Sequence, residues 1–196
     1  MDKKNMAYRA RLLVGRAMAD DRVNLILSQM IDQRPPLFEQ SLNTAYLAVQ
    51  VAEATGYKGD VAELAISALV HDAGMLMVPD EIFSKHERLN ADEKLVARKH
   101  VYDGSKMLLD LGFDGWAIEA ALLHHERSNG TGYPEGRESP AIPRLVKIIM
   151  VCDVYEALTS DRPQRKAFNM YEACSMMSVM PLSGATLQAI KRCDDT

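Results

Sequence analysis

The chain has 196 residues, 23 Lys and Arg against 27 Asp and Glu, and a formal charge of −4. That length can bury a core without disulfide or metal staples, so a metal would serve chemistry rather than folding. Mild acidity without a Lys/Arg run offers no footprint for a DNA or RNA polymer. Cys152, Cys174 and Cys193 lack CxxC spacing, which excludes a thiolate zinc site and fits a reducing cytoplasm. The apolar run Leu12-Leu13-Val14 is cut short by Arg16, against a signal peptide. No stretch approaches the about 20 apolar residues of a membrane span.

Helical periodicity dominates and sustained alternation is missing, so the fold class is all-α. A first helical region runs from about Tyr8 to Ile31 and ends before Pro35-Pro36, read as a helix breaker. This pair marks the one internal boundary, separating an N-terminal helical extension (1–36) from the remainder (37–196). The next helix, Leu37 to Thr55, lines up Leu42, Ala45, Val49 and Ala52 and stops at Gly56. Asp60 and Glu63 have capping-box spacing and open a helix running into His71-Asp72, with Gly74 as its terminator. Asn90 and Glu93 repeat the start signal for a helix that carries His100 and closes at Gly112.

Another helix spans about Gly115 to His125. The stretch from Arg127 to Pro143, rich in glycine and proline, is a long loop of the kind that is usually functional or disordered. Pro143 stands at helix position N1 before a Leu145 to Leu158 helix bearing Asp153. Asn169 with Glu172 opens a further helix, and Ser183 to Arg192 makes the last. Met170, Met176, Met177 and Met180 read as core filler rather than a binding stripe. His86 lies in a polar loop and reads as solvated.

The chemistry is carried by His71-Asp72, His100, His124-His125 and Asp153, at gaps of 29, 24 and 28 residues. A helix with its loop takes about 20 to 30 residues, so each successive helix of a bundle delivers one group to a common level. Imidazoles and carboxylates without thiolate suit iron, manganese, zinc, cobalt or nickel. An adjacent His and Asp lets the carboxylate bridge two ions, as in a two-metal phosphohydrolase.

The segments HDAG at 71–74, VPDEIFSK at 78–85, His100 with Gly104, HHERSNGTGYPEG at 124–136 and VCDVYEALTSDRP at 151–163 closely resemble the HD-GYP family. This is a branch of the HD superfamily of metal-dependent phosphohydrolases. The resemblance covers Leu37 to about Phe168 and makes 37–196 the HD-GYP domain. It implies a helical bundle with a five-helix metal-binding core and flanking helices, holding iron or manganese. It also implies hydrolysis of cyclic di-GMP to pGpG or GMP, and signalling partners of diguanylate cyclase (GGDEF) or receiver type.

By position, His71, Asp72, His100, His124, His125 and Asp153 would be ligands, with Asp72 bridging and catalytic. Gly132 and Tyr133 would line the nucleotide pocket, and Arg162 and Arg165 would meet phosphates. The chain departs from the family where Gln40 replaces a ligand histidine, Pro36 a glutamate, Met75 a lysine and Gln164 a tyrosine. Those departures imply one firm and one loosely held ion, no third ion and reduced turnover. The alternative is a catalytically inactive domain that binds metal, cyclic di-GMP or another protein. A third reading is a different HD phosphohydrolase acting on nucleotides.

Overall fold

The computed structural model describes residues 3–161 and 165–193. Helix α1 (Lys3–Ala17) is followed by α2 (Asp21–Gln33) and the long α3 (Pro35–Ala54). The expected single N-terminal helix is thus two. Asp20, extended at φ −68 and ψ 125, interrupts it and caps α2 by accepting from the Arg22 backbone N–H. Pro35 and Pro36 stand in the first turn of α3, where a missing N–H costs nothing, so they start a helix rather than only breaking one.

Then come α4 (Val61–Val70), a 3₁₀ turn over Ala73–Met77, the short α5 (Asp80–Phe83), α6 (Ala91–Arg98), α7 (His100–Asp110) and α8 (Gly115–Leu123). After a loop holding a second 3₁₀ turn at Ser139–Ala141, the chain ends in α9 (Arg144–Thr159), α10 (Met170–Ser178) and α11 (Gly184–Cys193). An isolated β bridge joins Asn129 and Glu138. Asn90 and Asn169 each form a full capping box, with Glu93 and Glu172 returning the bond. The expected helix through His100 is broken at Lys99 into α6 and α7.

The helices that carry the site pack as a ring: α3 against α4 and α9, α8 against α4, α7 and α9. Alanines at 45, 48 and 52 of α3 and at 65 and 68 of α4 are fully or almost fully buried, and such small side chains let helix backbones approach closely. The flanking α1 and α2 lie on α3 and α4, while α10 and α11 close over α9. Val14 of α1 and Ile26 of α2 join the same apolar cluster as Val49, Leu69 and Ile149. Met177 is buried in it and Met170 and Met180 pack beside it, but Met176, at 38% exposure, is not core. No helix among the described residues is long and apolar enough to cross a membrane, and all three cysteines are buried.

Gly74 is not a helix stop. It sits inside the 3₁₀ turn, and a Cβ there would overlap the His100 carbonyl oxygen and the Gly104 amide nitrogen of α7. Only glycine lets this turn touch α7, which draws the His71-Asp72 end of α4 toward His100.

The Asp20 cap also couples elements. Arg22 donates to both Asp20 carboxylate oxygens (3.0 and 2.7 Å) and to the Gly112 carbonyl at the end of α7 (2.6 Å), with its guanidinium over Phe113. The Arg22 side chain lowers the Asp20 pKa from 3.8 to about 2. A depressed carboxyl pKa stabilises above the unfolded value and loses that contribution as pH falls through the folded one. Asp20→Ala should therefore cost about 1 kcal/mol near neutrality. In urea unfolding at several pH values, its gap from the wild type should close between pH 3.8 and about 2; a gap independent of pH would contradict the assignment.

Candidate metal centre and the loop beside it

His71 and Asp72 leave the C-terminus of α4, His100 opens α7, His124 and His125 follow α8, and Asp153 lies on α9. All six of these ligand candidates converge. Single ligand atoms of Asp72, His100, His124 and His125 lie within 4.8 Å of one another, and so do those of His71, Asp72 and Asp153. Asp72 belongs to both groups, and its two oxygens divide between them. Oδ1 faces His100 Nε2 at 3.4 Å and His124 Nε2 at 3.2 Å, while Oδ2 faces His71 Nε2 at 3.7 Å. His71 Nε2 is also 3.7 Å from Asp153 Oδ1.

The backbone sets the tautomers. Nδ1 of His71 lies 2.8 Å from the Ala68 carbonyl, that of His100 2.6 Å from Ala97, and that of His124 3.0 Å from Ala121. A carbonyl only accepts, so each Nδ1 carries a proton and each ring, when neutral, turns an Nε2 lone pair inward. His100 Nε2 and His124 Nε2 then face each other at 3.4 Å, beside a carboxylate oxygen. Lone pairs so close repel unless a cation lies among them. His71 Nε2 and Asp72 Oδ1 are also buried without a hydrogen-bond partner, the state of a polar atom reserved for another occupant. The donor set therefore fits a divalent cation.

Electrostatics agree. Burial pushes His125 well below the ordinary imidazole range, with His124 adding to the effect, and burial also lowers His100. Both are thus neutral donors. Burial opposes a charge on His71, yet Asp72 and Asp153 beside it raise its pKa to about 9. Burial raises the carboxyls too, but the histidines outweigh it, holding Asp72 well below the usual range and Asp153 at about 2. This half of the site attracts positive charge. Cys152, next to Asp153 in sequence, is buried in the core with its thiol pushed far up by burial, and it stands outside the ligand set.

Gln40 of α3 reaches into the second group, where its amide nitrogen donates to Asp153 Oδ1 at 2.7 Å and approaches Asp72 Oδ2 at 3.5 Å. One turn along, Asn43 donates to Glu156 at 3.4 Å, so α3 and α9 are joined by two amide-carboxylate pairs. Met75 is half-buried and packs against the core.

The Arg127 to Pro143 loop is tied to the cluster. Tyr133 stacks on His125 with centroids 4.7 Å apart and planes at 24°, and its N–H donates to the His125 carbonyl at 3.2 Å. Burial raises the Tyr133 phenol far above its usual range, so it stays a hydroxyl. A Cβ on Gly132 would run into the backbone of Glu126 and Arg127, so only glycine lets the chain turn back here.

Two sequence-based expectations about arginine fare differently. Arg162 lies outside the described residues, as does Gln164. Arg165 donates to the Leu158 carbonyl at 3.0 Å and to that of Ala157, and lies over Phe168. The free carbonyls ending α9 offer a cation both acceptors and the negative end of the helix dipole. His86 is exposed, as its polar loop implies.

Glu126 was passed over by motif reading. It is 0% exposed, and its carboxylate accepts from the Glu135 N–H at 2.7 Å and the Arg137 N–H at 2.9 Å. The available signal was an acid directly after two buried histidines, which must find donors nearby, and a loop supplies unpaired N–H groups. Glu126→Gln, which keeps one acceptor and brings a surplus donor, should lower hydrogen-exchange protection of the Glu135 and Arg137 amides by roughly tenfold or more, as expected for a charge-assisted bond. Undiminished protection at both amides would mean that the loop is held some other way.

Among known proteins, the HD domain family matches residues 25–184. A cyclic di-GMP phosphodiesterase of Pseudomonas aeruginosa is 41% identical over 119 residues, 60% of this chain and 29% of that protein. A 3'3'-cGAMP-specific phosphodiesterase of Vibrio cholerae is 33% identical over 158 residues, 79% of this chain and 36% of its own length. The chain thus spans about a third of the length of these curated relatives. The solved structure of Bd1817, a HDG"Y"P protein from Bdellovibrio bacteriovorus, has a TM-score of 0.70 at 18% identity, over 97% of this chain and 61% of that one. At such identity the likeness concerns the fold alone.

Proposed function

The chain belongs to the HD domain family, in its HD-GYP branch, and from that premise we propose that it is a metal-dependent phosphodiesterase acting on cyclic dinucleotides, with cyclic di-GMP as substrate and pGpG or GMP as product. The observation that carries this reading is the division of Asp72 between two ligand groups, Oδ1 toward His100 and His124 and Oδ2 toward His71. Divalent cations bound there, iron or manganese by the family resemblance, supply charge neutralisation and acidify water for attack on phosphorus.

The protein's own side chains set the geometry for that chemistry. His100, His124 and His125 with Asp72 form the nitrogen-rich half, and His71, Asp72 and Asp153 form the other. Asp72 holds the two halves at one carboxylate's width, which suits an in-line displacement needing charge at both entering and leaving oxygens. Tyr133, a hydroxyl stacked on His125, and Gly132 beside it would border the nucleotide site with the ring edge and the backbone. A cytoplasmic location goes with that substrate class, and GGDEF or receiver domains are the partners this reading carries.

Gln40 favours a second reading, a domain that binds metal or cyclic dinucleotide with slow or no turnover. Its amide occupies acceptor capacity on Asp153 that a second ion would need, and a neutral amide is a poor ligand for these ions. Both readings are tested on protein loaded anaerobically with Mn²⁺ or Fe²⁺, by following cyclic di-GMP cleavage chromatographically and metal content by elemental analysis. Wild type should retain about one ion per chain and cleave slowly, and Gln40→His should approach about two ions and cleave faster. No cleavage by either protein would reject the phosphodiesterase, and equal metal content would reject Gln40 as the cause.

A further inference from the structure

We propose that Arg98, with Arg127 behind it, forms a phosphate-binding clamp at the rim of the metal cluster, recognising a phosphoryl oxygen of the substrate through a guanidinium that Tyr133 holds in place. The inference rests on the phosphodiesterase reading and extends it to residues that the motif does not mark. Arg98 is the last residue of α6, two positions before His100. The His100 imidazole bonds to the Ala97 carbonyl at 2.6 Å, so the α6–α7 junction sets the ligand and the direction of Arg98 together.

The Arg98 guanidinium carbon lies 4.6 Å from the centroid of the Tyr133 ring, which itself stacks on His125. Three groups are thereby ordered in a row: a ligand imidazole, a phenol ring and a cation. Arg98 is exposed, and among the described residues no carboxylate pairs with it and no acceptor meets its N–H groups. A guanidinium held over a ring without other acceptors keeps its N–H groups available, and their fork matches two oxygens of a phosphate.

Arg127 comes to the same place from the loop. It is half-buried, donates through Nη1 to the Glu126 carbonyl at 2.7 Å, and has no protein acceptor at Nε or Nη2 among the described residues. Its backbone lies against Gly132, next to Tyr133 in the chain, and the charges of Arg127 and Tyr133 influence each other. Met75, in the turn after Asp72, is an apolar side chain packed against the core and offers a phosphate no positive charge. These two arginines are placed to supply it.

The experiment is calorimetric titration of Mn²⁺-loaded wild type, Arg98→Ala and Arg98→Lys with cyclic di-GMP and, separately, with inorganic phosphate, alongside metal analysis and kinetics. Arg98→Ala should weaken both ligands by on the order of tenfold or more, the effect of losing a charge-assisted bond. It should raise KM by a similar factor, leaving kcat and metal content near wild type, and Arg98→Lys should recover only part because a point charge cannot match the fork. Wild-type affinity for both ligands in Arg98→Ala overturns the clamp. Phosphate binding that depends on Arg98 without any cyclic di-GMP binding supports the clamp and rejects the substrate reading. Binding of neither ligand by the wild type overturns both.

Discussion

One carboxylate, Asp72, organises the molecule. It is buried at 6% exposure, and a charge so placed is costly unless cations or donors surround it. Three imidazoles from three separate chain segments meet it within 3.7 Å. Each of them is oriented by a carbonyl of its own or the preceding helix end, so the positions of α4, α7 and α8 are expressed directly in where the lone pairs point. The close contact at Gly74 has the same purpose, since α7 could not stand next to the His71-Asp72 corner if a side chain intervened.

The opposite wall is built differently. Where α3 faces α9, the contacts are Gln40 with Asp153 and Asn43 with Glu156, amides donating to acids. Such pairs satisfy buried carboxylates without metal, and they make this half of the cluster less dependent on an ion than the histidine-rich half. The asymmetry is a property of the side chains present: one half gathers His100, His124 and His125 around Asp72, the other sets His71 between two carboxylates, one of which already accepts from the Gln40 amide.

The loop after α8 is tied to this centre. Glu126, buried behind His125, holds the loop's far limb by two backbone N–H groups, and Gly132 lets the near limb lie against the backbone of Glu126 and Arg127. Tyr133 is thereby pressed onto His125, and Arg98 onto Tyr133. An imidazole of the cluster, a phenol ring and a cation are thus linked in a row, so disturbing the loop would be felt at the candidate ligands.

All-helical class and most helix starts were legible in the chain because capping is local: Asn90 with Glu93, Asn169 with Glu172 and Asp60 each act within one turn. The six ligand candidates were legible too, since their spacing follows helix length. The splits at Asp20 and Lys99 were not, because either side of each break keeps a helical pattern. Nor was the role of Gly74, whose neighbour His100 is distant in sequence, or that of Arg165, whose donors go to helix-end carbonyls rather than outward. Which residues carry imidazole, carboxylate or guanidinium is a property of the sequence. Which oxygen of Asp72 meets which histidine, that Gln40 touches Asp153, and that Arg98 lies on Tyr133 with its N–H groups unspent were decided by packing between helices remote along the chain, where distance and direction are set by the whole bundle at once.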